Sequence, residues 1–232
     1  MPSQYALFVW VIGLALDVCL ITCALLRGAF LRYFFVNLYV ILSLSADLTR
    51  QYVLHYSGLS SPEYMYAYYY SDLLLTLSLF VAVISLAARI FAELQFAGYV
   101  RWVAVLLLLG TAGFSYAVIA QSSQRLYYTT FAYELSQNLY FVGLVITYIL
   151  WGAVLKLRET RTRVVQMILS LGLYFSAYAG IYALLNLGSN RIVAQYLAPL
   201  LGCFLPISWL LTILRHNEDS RLNPARLVAV PR

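Results

Sequence analysis

The chain has 232 residues, of which 63% are hydrophobic and only 10% are charged, with a mean hydropathy of +0.81. These values exclude a water-soluble domain and predict an integral membrane protein, in contact with the lipid bilayer. The net charge of +6 comes from basic residues clustered between long apolar runs. It therefore indicates membrane topology and not binding to nucleic acid.

Seven apolar runs follow one another along the chain. Each is close to the about 20 residues that a helix needs to span hydrocarbon. They predict an all-α, polytopic membrane protein, a bundle of seven transmembrane helices. The predicted spans are about 5–26, 31–54, 66–89, 99–121, 130–155, 164–187 and 192–214. Residues 1–214 are expected to form a single domain, and residues 215–232, which mix both charge signs with prolines, a flexible cytoplasmic tail.

Basic residues predict how the bundle is oriented. All but three of the 15 Lys and Arg residues fall on one side of the predicted spans, the exceptions being Arg50, Arg125 and Arg191. Because cytoplasmic segments carry the excess of Lys and Arg, the N-terminus is predicted outside and the C-terminus in the cytoplasm. The expected location is the cytoplasmic (plasma) membrane, crossed several times.

Asp17 is the deepest carboxylate, near the midpoint of the first predicted span. Placing an ionisable side chain there costs at least ~2.5 kcal/mol, which makes it a functional candidate. It finds no partner among its neighbours one turn away on the helix, which are Gly13, Leu14, Leu20 and Ile21. Two roles stay open: a proton relay or ligand anchor, or an interhelical hydrogen bond that fixes the first helix in place.

The end of the second span carries Asp47 and Arg50, which are spaced for a local ion pair with Gln51 beside them. An exposed pair three residues apart is an ordinary feature of a helix end. We therefore expect a structural role for these residues.

Asp72 lies a short way inside the outer end of the third predicted span. Tyr68, Tyr69 and Thr76 are three or four residues from it, so a helix places them on the same face as the carboxylate. These residues predict a polar stripe at the mouth of the span. They are candidates for ligand binding or proton transfer.

The fifth span repeats this pattern at the same depth. Glu134 is followed one turn deeper by Asn138, with Tyr133 and Gln137 beside them. If the third and fifth spans are neighbours, Asp72, Glu134 and Asn138 are expected to line one shared cavity. All of these residues are candidates for the same site.

Tyrosines are distributed unevenly between the two halves of the predicted bundle. The chain has 21 of them, and all but five fall in the outer half or the outer loops, the exceptions being Tyr33, Tyr39, Tyr99, Tyr148 and Tyr174. An aromatic belt alone predicts enrichment at both interfaces. The excess favours a partner surface or an aromatic ligand pocket on the outside, although belt and core packing remain open as an explanation.

Enzyme chemistry finds little support in the sequence. The two histidines, His55 and His216, lie at span ends, so imidazole is missing where an intramembrane zinc or haem site or a serine protease would need it. No phosphate-binding glycine loop or CxxC motif is present. We expect no enzymatic activity, no cofactor and no metal.

Two functions remain as hypotheses. The first is a sensor, receptor-like protein or accessory subunit that binds a small-molecule ligand or a partner membrane protein at its tyrosine-rich outer face. A signalling partner would then contact the cytoplasmic basic loop that contains Lys156, Arg158, Arg161 and Arg163. The alternative is a small secondary transporter, coupled to protons through the intramembrane carboxylates.

Overall fold

The computed structural model describes residues 4–92, 97–120, 127–157, 163–186 and 191–215. In these ranges the chain forms seven helices, which are α1 (Gln4–Leu26), α2 (Phe34–Ser57), α3 (Pro62–Ala92), α4 (Ala97–Ala120), α5 (Tyr127–Leu157), α6 (Arg163–Asn186) and α7 (Arg191–Arg215). The all-α prediction is confirmed, and each helix lies within a few residues of a predicted span. The predicted tail lies outside the described residues beyond Arg215.

Six of the seven helices are long and apolar enough to cross a membrane. The exception is α2, which has 24 residues but a lower hydropathy. Its polar side chains account for the difference, and they are Asn37, Asp47, Arg50, Gln51 and His55. The structure thus supports a multi-pass helical protein with six candidate spans, while the seventh span stays a prediction.

Six helices close into a ring, and α4 lies outside it. Helix α1 contacts α2 and α7, α2 contacts α3, α3 contacts α5, and α6 contacts both α5 and α7. Helix α4 packs against α3 and α5 from the outside, while α3 also reaches α6. This arrangement makes α2 a member of the ring, so its polar side chains have an interior to face.

One end of the ring is joined by arginine side chains. Arg27 donates hydrogen bonds to the carbonyl oxygens of Ile213 at 2.7 Å and Leu214 at 2.9 Å, and Arg163 donates to Ile213 at 3.3 Å. These bonds tie α1 and α6 to the last turn of α7, whose carbonyl groups have no partner within the helix. We call this the arginine end, and its residues are Arg27, Arg89, Arg163 and Arg215.

The opposite end is built on the turn between α2 and α3. Gly58 follows α2 with φ +82°, a conformation that favours glycine, and its N–H donates to Leu54 at 3.1 Å. Ser61 accepts from the N–H of Tyr64 at 3.1 Å and caps the start of α3. We call this the tyrosine end, and its residues are Tyr64, Tyr68, Tyr69 and Tyr133.

Two glycines let α5 and α6 approach closely. A Cβ atom added at Gly143 would lie 2.5 Å from the ring of Phe175, and one added at Gly172 would lie 2.6 Å from the ring of Trp151. The Trp151 indole N–H donates to the carbonyl of Ile168 at 3.3 Å. Close contact between these two helices places the tyrosines of α6 against those of α5.

Candidate functional site

A continuous series of tyrosine rings runs from the tyrosine end into the interior of the bundle. We call it the tyrosine array, and its members in order are Tyr68, Tyr69, Tyr133, Tyr182, Tyr140, Tyr178 and Tyr174. Successive ring centroids are separated by 4.6 Å at the closest pair and 6.3 Å at the widest. The array draws on α3, α5 and α6, and its spacing is that of packed aromatic pairs.

The outer rings of the array are more exposed than the inner ones. Tyr68 is 44% exposed at the tyrosine end, whereas Tyr182 is 9% and Tyr140 only 3% exposed. Tyr69 and Tyr133 are half-buried between them. The array therefore begins at the surface and ends in the core.

The inner end of the array joins two further helices. The hydroxyl of Tyr174 lies 3.5 Å from that of Tyr39 on α2. The ring of Tyr39 packs edge-on against Trp209 on α7, with centroids 5.8 Å apart. The Trp209 indole N–H donates to Ser170 at 3.0 Å. These buried aromatic side chains thus find partners for their polar groups inside the bundle.

Asp72 is half-buried beside the outer part of the array. Its carboxylate is close enough to interact electrostatically with the phenols of Tyr140, Tyr178 and Tyr182. The hydroxyl of Ser136 on α5 approaches the carboxylate. That hydroxyl is fully buried and completes no hydrogen bond with the part of the chain that the structure describes.

Arg50 reaches from α2 to the same region of α3. Its Nε donates to the Ser71 hydroxyl at 2.7 Å, and one terminal nitrogen donates to the carbonyl of Tyr68 at 3.3 Å. The guanidinium carbon lies 4.7 Å from the ring centroid of Tyr68. Arg50 also interacts electrostatically with both Asp47 and Asp72. The expected local pair with Asp47 is therefore part of a larger cluster.

Asp17 is 3% exposed and faces α2. The Ser43 hydroxyl lies against its carboxyl group, and Asp47 is within electrostatic range. Its Oδ1 atom has no hydrogen-bond partner in the described ranges. Asp17, Asp47 and Asp72 all lie within electrostatic range of the phenol of Tyr39, so these carboxylates surround one interior region.

The remaining candidates of α3 and α5 point in several directions. Asn138 donates to Ser115 on α4 at 2.9 Å, so it faces the outer helix and not Asp72. Thr76 is buried and donates to the backbone carbonyl of Asp72 at 2.8 Å. Glu134 is half-buried, within electrostatic range of Tyr133. Gln137 is buried.

The basic candidates lie at the arginine end. Arg163 is buried and donates to the carbonyl of Ile213, so it binds α7 and does not project into a loop. Lys156 lies in α5, and its side chain is outside the described residues. Arg158 and Arg161 also lie outside the described residues.

Sequence reasoning missed the inner members of the array. Tyr174, Tyr178 and Tyr182 recur every four residues on α6, a spacing that puts them on one helix face. On α5, Tyr133 and Tyr140 are seven residues apart and share a face in the same way. This periodicity was the available signal. No sequence signal could have shown that Arg50 and Ser136 lie near Asp72, because their positions depend on which helices are neighbours.

The side chains of this region offer aromatic faces and a carboxylate. Tyrosine rings present a negative face to cations and an apolar surface to organic groups. Within the described residues, no group of three or more His, Cys, Asp and Glu side chains is arranged to hold a metal ion. The chemistry of the site is thus that of aromatic, carboxylate and hydroxyl groups.

Comparison with known proteins does not assign the chain to a family. No protein-family model, curated protein or solved structure matches the chain.

Proposed function

We propose that this chain is a non-enzymatic seven-helix membrane protein, a sensor or accessory subunit that binds a small-molecule ligand at its tyrosine end. One observation carries the proposal: the tyrosine array begins at an exposed end of the bundle and passes Asp72 on its way into the core. Packing alone does not require a half-buried carboxylate among aromatic rings. Intramembrane carboxylates are costly and are usually retained for function.

The proposal includes α2 as the seventh span. It lies between α1 and α3 in the ring, and Asn37 and Tyr39 are buried inside the bundle. A helix whose polar residues face such an interior can cross a bilayer despite its lower hydropathy. The arginine end is then cytoplasmic under the positive-inside rule, and the tyrosine end lies outside.

The array also supplies a path by which ligand binding can affect the cytoplasmic end. Its outer rings belong to α3 and α5, whereas its inner end joins Tyr39 of α2 and Trp209 of α7. The last turn of α7 is in turn held by Arg27 and Arg163. A ligand that repacks the outer rings would bias the packing of α7, to which a signalling partner can respond.

Ligand screening by thermal stabilisation tests the proposal. The purified chain in detergent micelles is screened against small molecules of all charge types, and each hit is remeasured on Tyr69→Leu and Asp72→Asn. We expect hits whose stabilisation is lost in both variants, since a ligand stabilises only a fold that binds it. Tyr70→Leu and Glu63→Gln are matched controls, because Tyr70 and Glu63 lie on exposed positions of the same helix. Hits that persist in both site variants would contradict the proposal.

A second candidate function is proton-coupled transport, favoured by the Oδ1 atom of Asp17, which has no hydrogen-bond partner among the described residues. A buried carboxyl group whose oxygen lacks a donor is suited to exchange a proton. Reconstitution into proteoliposomes with a pH gradient tests this function. The parent protein should carry a proton flux that Asp17→Asn abolishes, and an unchanged flux in that variant, or none in the parent, would remove the transporter from consideration.

A further inference from the structure

We infer that the ligand bound at the tyrosine end is an organic cation, an ammonium or guanidinium compound held between the Asp72 carboxylate and the rings of Tyr68, Tyr69 and Tyr133. This inference rests on the proposed function and names its ligand class. The position of Arg50 is the first argument. Its guanidinium already lies 4.7 Å from the centroid of Tyr68 and interacts with Asp72, so the protein's own side chain shows that a planar organic cation fits there.

Charge balance is the second argument. Arg50 supplies one positive charge, and it interacts with two carboxylates, Asp47 and Asp72. Asp17 lies in range of Asp47 and adds a third carboxylate to the same region. Three carboxyl groups thus share one guanidinium in this region, and a second cation can pair with whichever of them is ionised.

Ser136 is the third argument. Its hydroxyl is fully buried, and among the described residues it approaches the Asp72 carboxylate in a geometry short of a well-formed hydrogen bond. Buried polar groups normally complete their hydrogen bonds, so this oxygen can accept a further donor. A ligand that carries an N–H or O–H next to its positive centre can satisfy this oxygen while it neutralises Asp72.

The aromatic rings favour a cation over a neutral or anionic ligand. Tyr69 and Tyr133 meet edge to face, with an interplanar angle of 89°, and both are half-buried. Cations are attracted to the faces of such rings, whereas anions are repelled by the faces and by the carboxylates. Arg50 is a poor anchor for an anion, because it already donates to Ser71 and to the carbonyl of Tyr68.

Calorimetric titration of the full chain in maltoside micelles tests the inference, since this detergent has no amine or choline group. The probes are choline and its uncharged isostere 3,3-dimethyl-1-butanol, with agmatine as the guanidinium probe and benzoate as the anion. Choline or agmatine should bind at least about tenfold more tightly than the butanol and benzoate, consistent with a cation–π and carboxylate contribution. This comparison uses the unmodified protein and needs no variant to fold.

Variants then assign the site. Asp72→Asn should weaken binding of the cation by about tenfold or more, whereas Glu63→Gln should leave it unchanged. Arg50→Gln should strengthen it, because the internal cation no longer competes for Tyr68 and Asp72. Equal binding of choline and its neutral isostere, or failure of both cations to bind, would overturn the inference. Binding of benzoate that is abolished by Arg50→Gln would also overturn the inference, because the site would then prefer an anion. If Tyr69→Leu abolishes the binding of benzoate as well, the ligand site of the proposed function is kept and only the ligand class is wrong.

Discussion

The hydroxyl groups of Tyr39 and Tyr174 lie 3.5 Å apart and join α2 to α6 inside the bundle. The same Tyr39 ring packs edge-on against Trp209 of α7. Three helices therefore meet around one tyrosine of α2, the helix that is not among the six candidate spans because of its lower hydropathy. This contact joins α2 to α6 and α7, in addition to its packing against α1 and α3.

Removal of this hydroxyl should destabilise the protein modestly. Tyr39→Phe keeps the ring on Trp209 and removes the hydrogen bond to Tyr174, so we expect a loss of about 1 kcal/mol in the free energy of unfolding. Tyr39→Ala should cost about 3–5 kcal/mol, because it also removes the packing. Tyr66→Phe is the control, since Tyr66 is exposed. Denaturant unfolding followed by fluorescence measures all three, and equal stabilities of the two Phe variants would contradict the prediction.

Gly143 should tolerate no larger residue. In Gly143→Ala the new methyl group would overlap the ring of Phe175, and overpacking of this kind costs about 1–3 kcal/mol. Gly110→Ala is a matched control on α4, because a Cβ atom there has nothing within 4 Å. We expect that variant to be as stable as the parent or more so. Melting temperatures in micelles compare the two, and a Gly143→Ala variant as stable as Gly110→Ala would show that α5 and α6 do not pack as described.

Arg27 should act as a cap on α7. Arg27→Gln removes a charged donor from the carbonyl oxygens of Ile213 and Leu214, and we expect a loss of about 1 kcal/mol in unfolding free energy. Arg27→Lys should retain part of that stability. Arg101→Gln, at an exposed position of α4, should be neutral. If Arg27→Gln unfolds at the same denaturant concentration as Arg101→Gln, the cap makes no net contribution.

Reporter fusions test the orientation. Alkaline phosphatase is active only outside the cytoplasm, and green fluorescent protein folds best inside it. With the arginine end in the cytoplasm, phosphatase inserted after Leu59 in the turn between α2 and α3 should be active in a bacterial host. Fluorescent protein fused after Arg232 should fluoresce. The opposite pattern would reverse the proposed orientation. Phosphatase that is active after Leu59 and also when fused after Arg232 would mean that an even number of spans separates the two positions.

The helices were predictable because the length of an apolar run determines whether a helix can cross hydrocarbon. Their ends were less so. Helix α3 begins at Pro62, before the predicted start of the third span, because its tyrosine-rich first turns are helical without being strongly apolar. Hydropathy is a weaker guide to membrane spanning for α2, because the side chains that lower its hydropathy, such as Asn37, are buried by other helices.

The helix faces that meet could not be predicted in the same way. In a membrane, lipid-facing and buried surfaces are both apolar, so hydrophobic periodicity does not reveal the inner face. Asn138 was expected to join Asp72 across α3 and α5, but it faces Ser115 of α4, whose packing outside the ring has no sequence signal. Arg50 was assigned to a pair within α2, yet it reaches α3. Candidate residue types were recognisable, and their partners were not.

Thiol labelling tests the central claim most directly, that Asp72 is reached from the aqueous phase at the tyrosine end. Asp72→Cys is made in a background in which alanine replaces Cys19, Cys23 and Cys203, and is treated with a membrane-impermeant trimethylammonium methanethiosulfonate in right-side-out vesicles. It should react much faster than Leu74→Cys, since Leu74 is 50% exposed on the apolar helix surface. Equal, slow labelling at both positions would mean that no open site exists beside the tyrosine array.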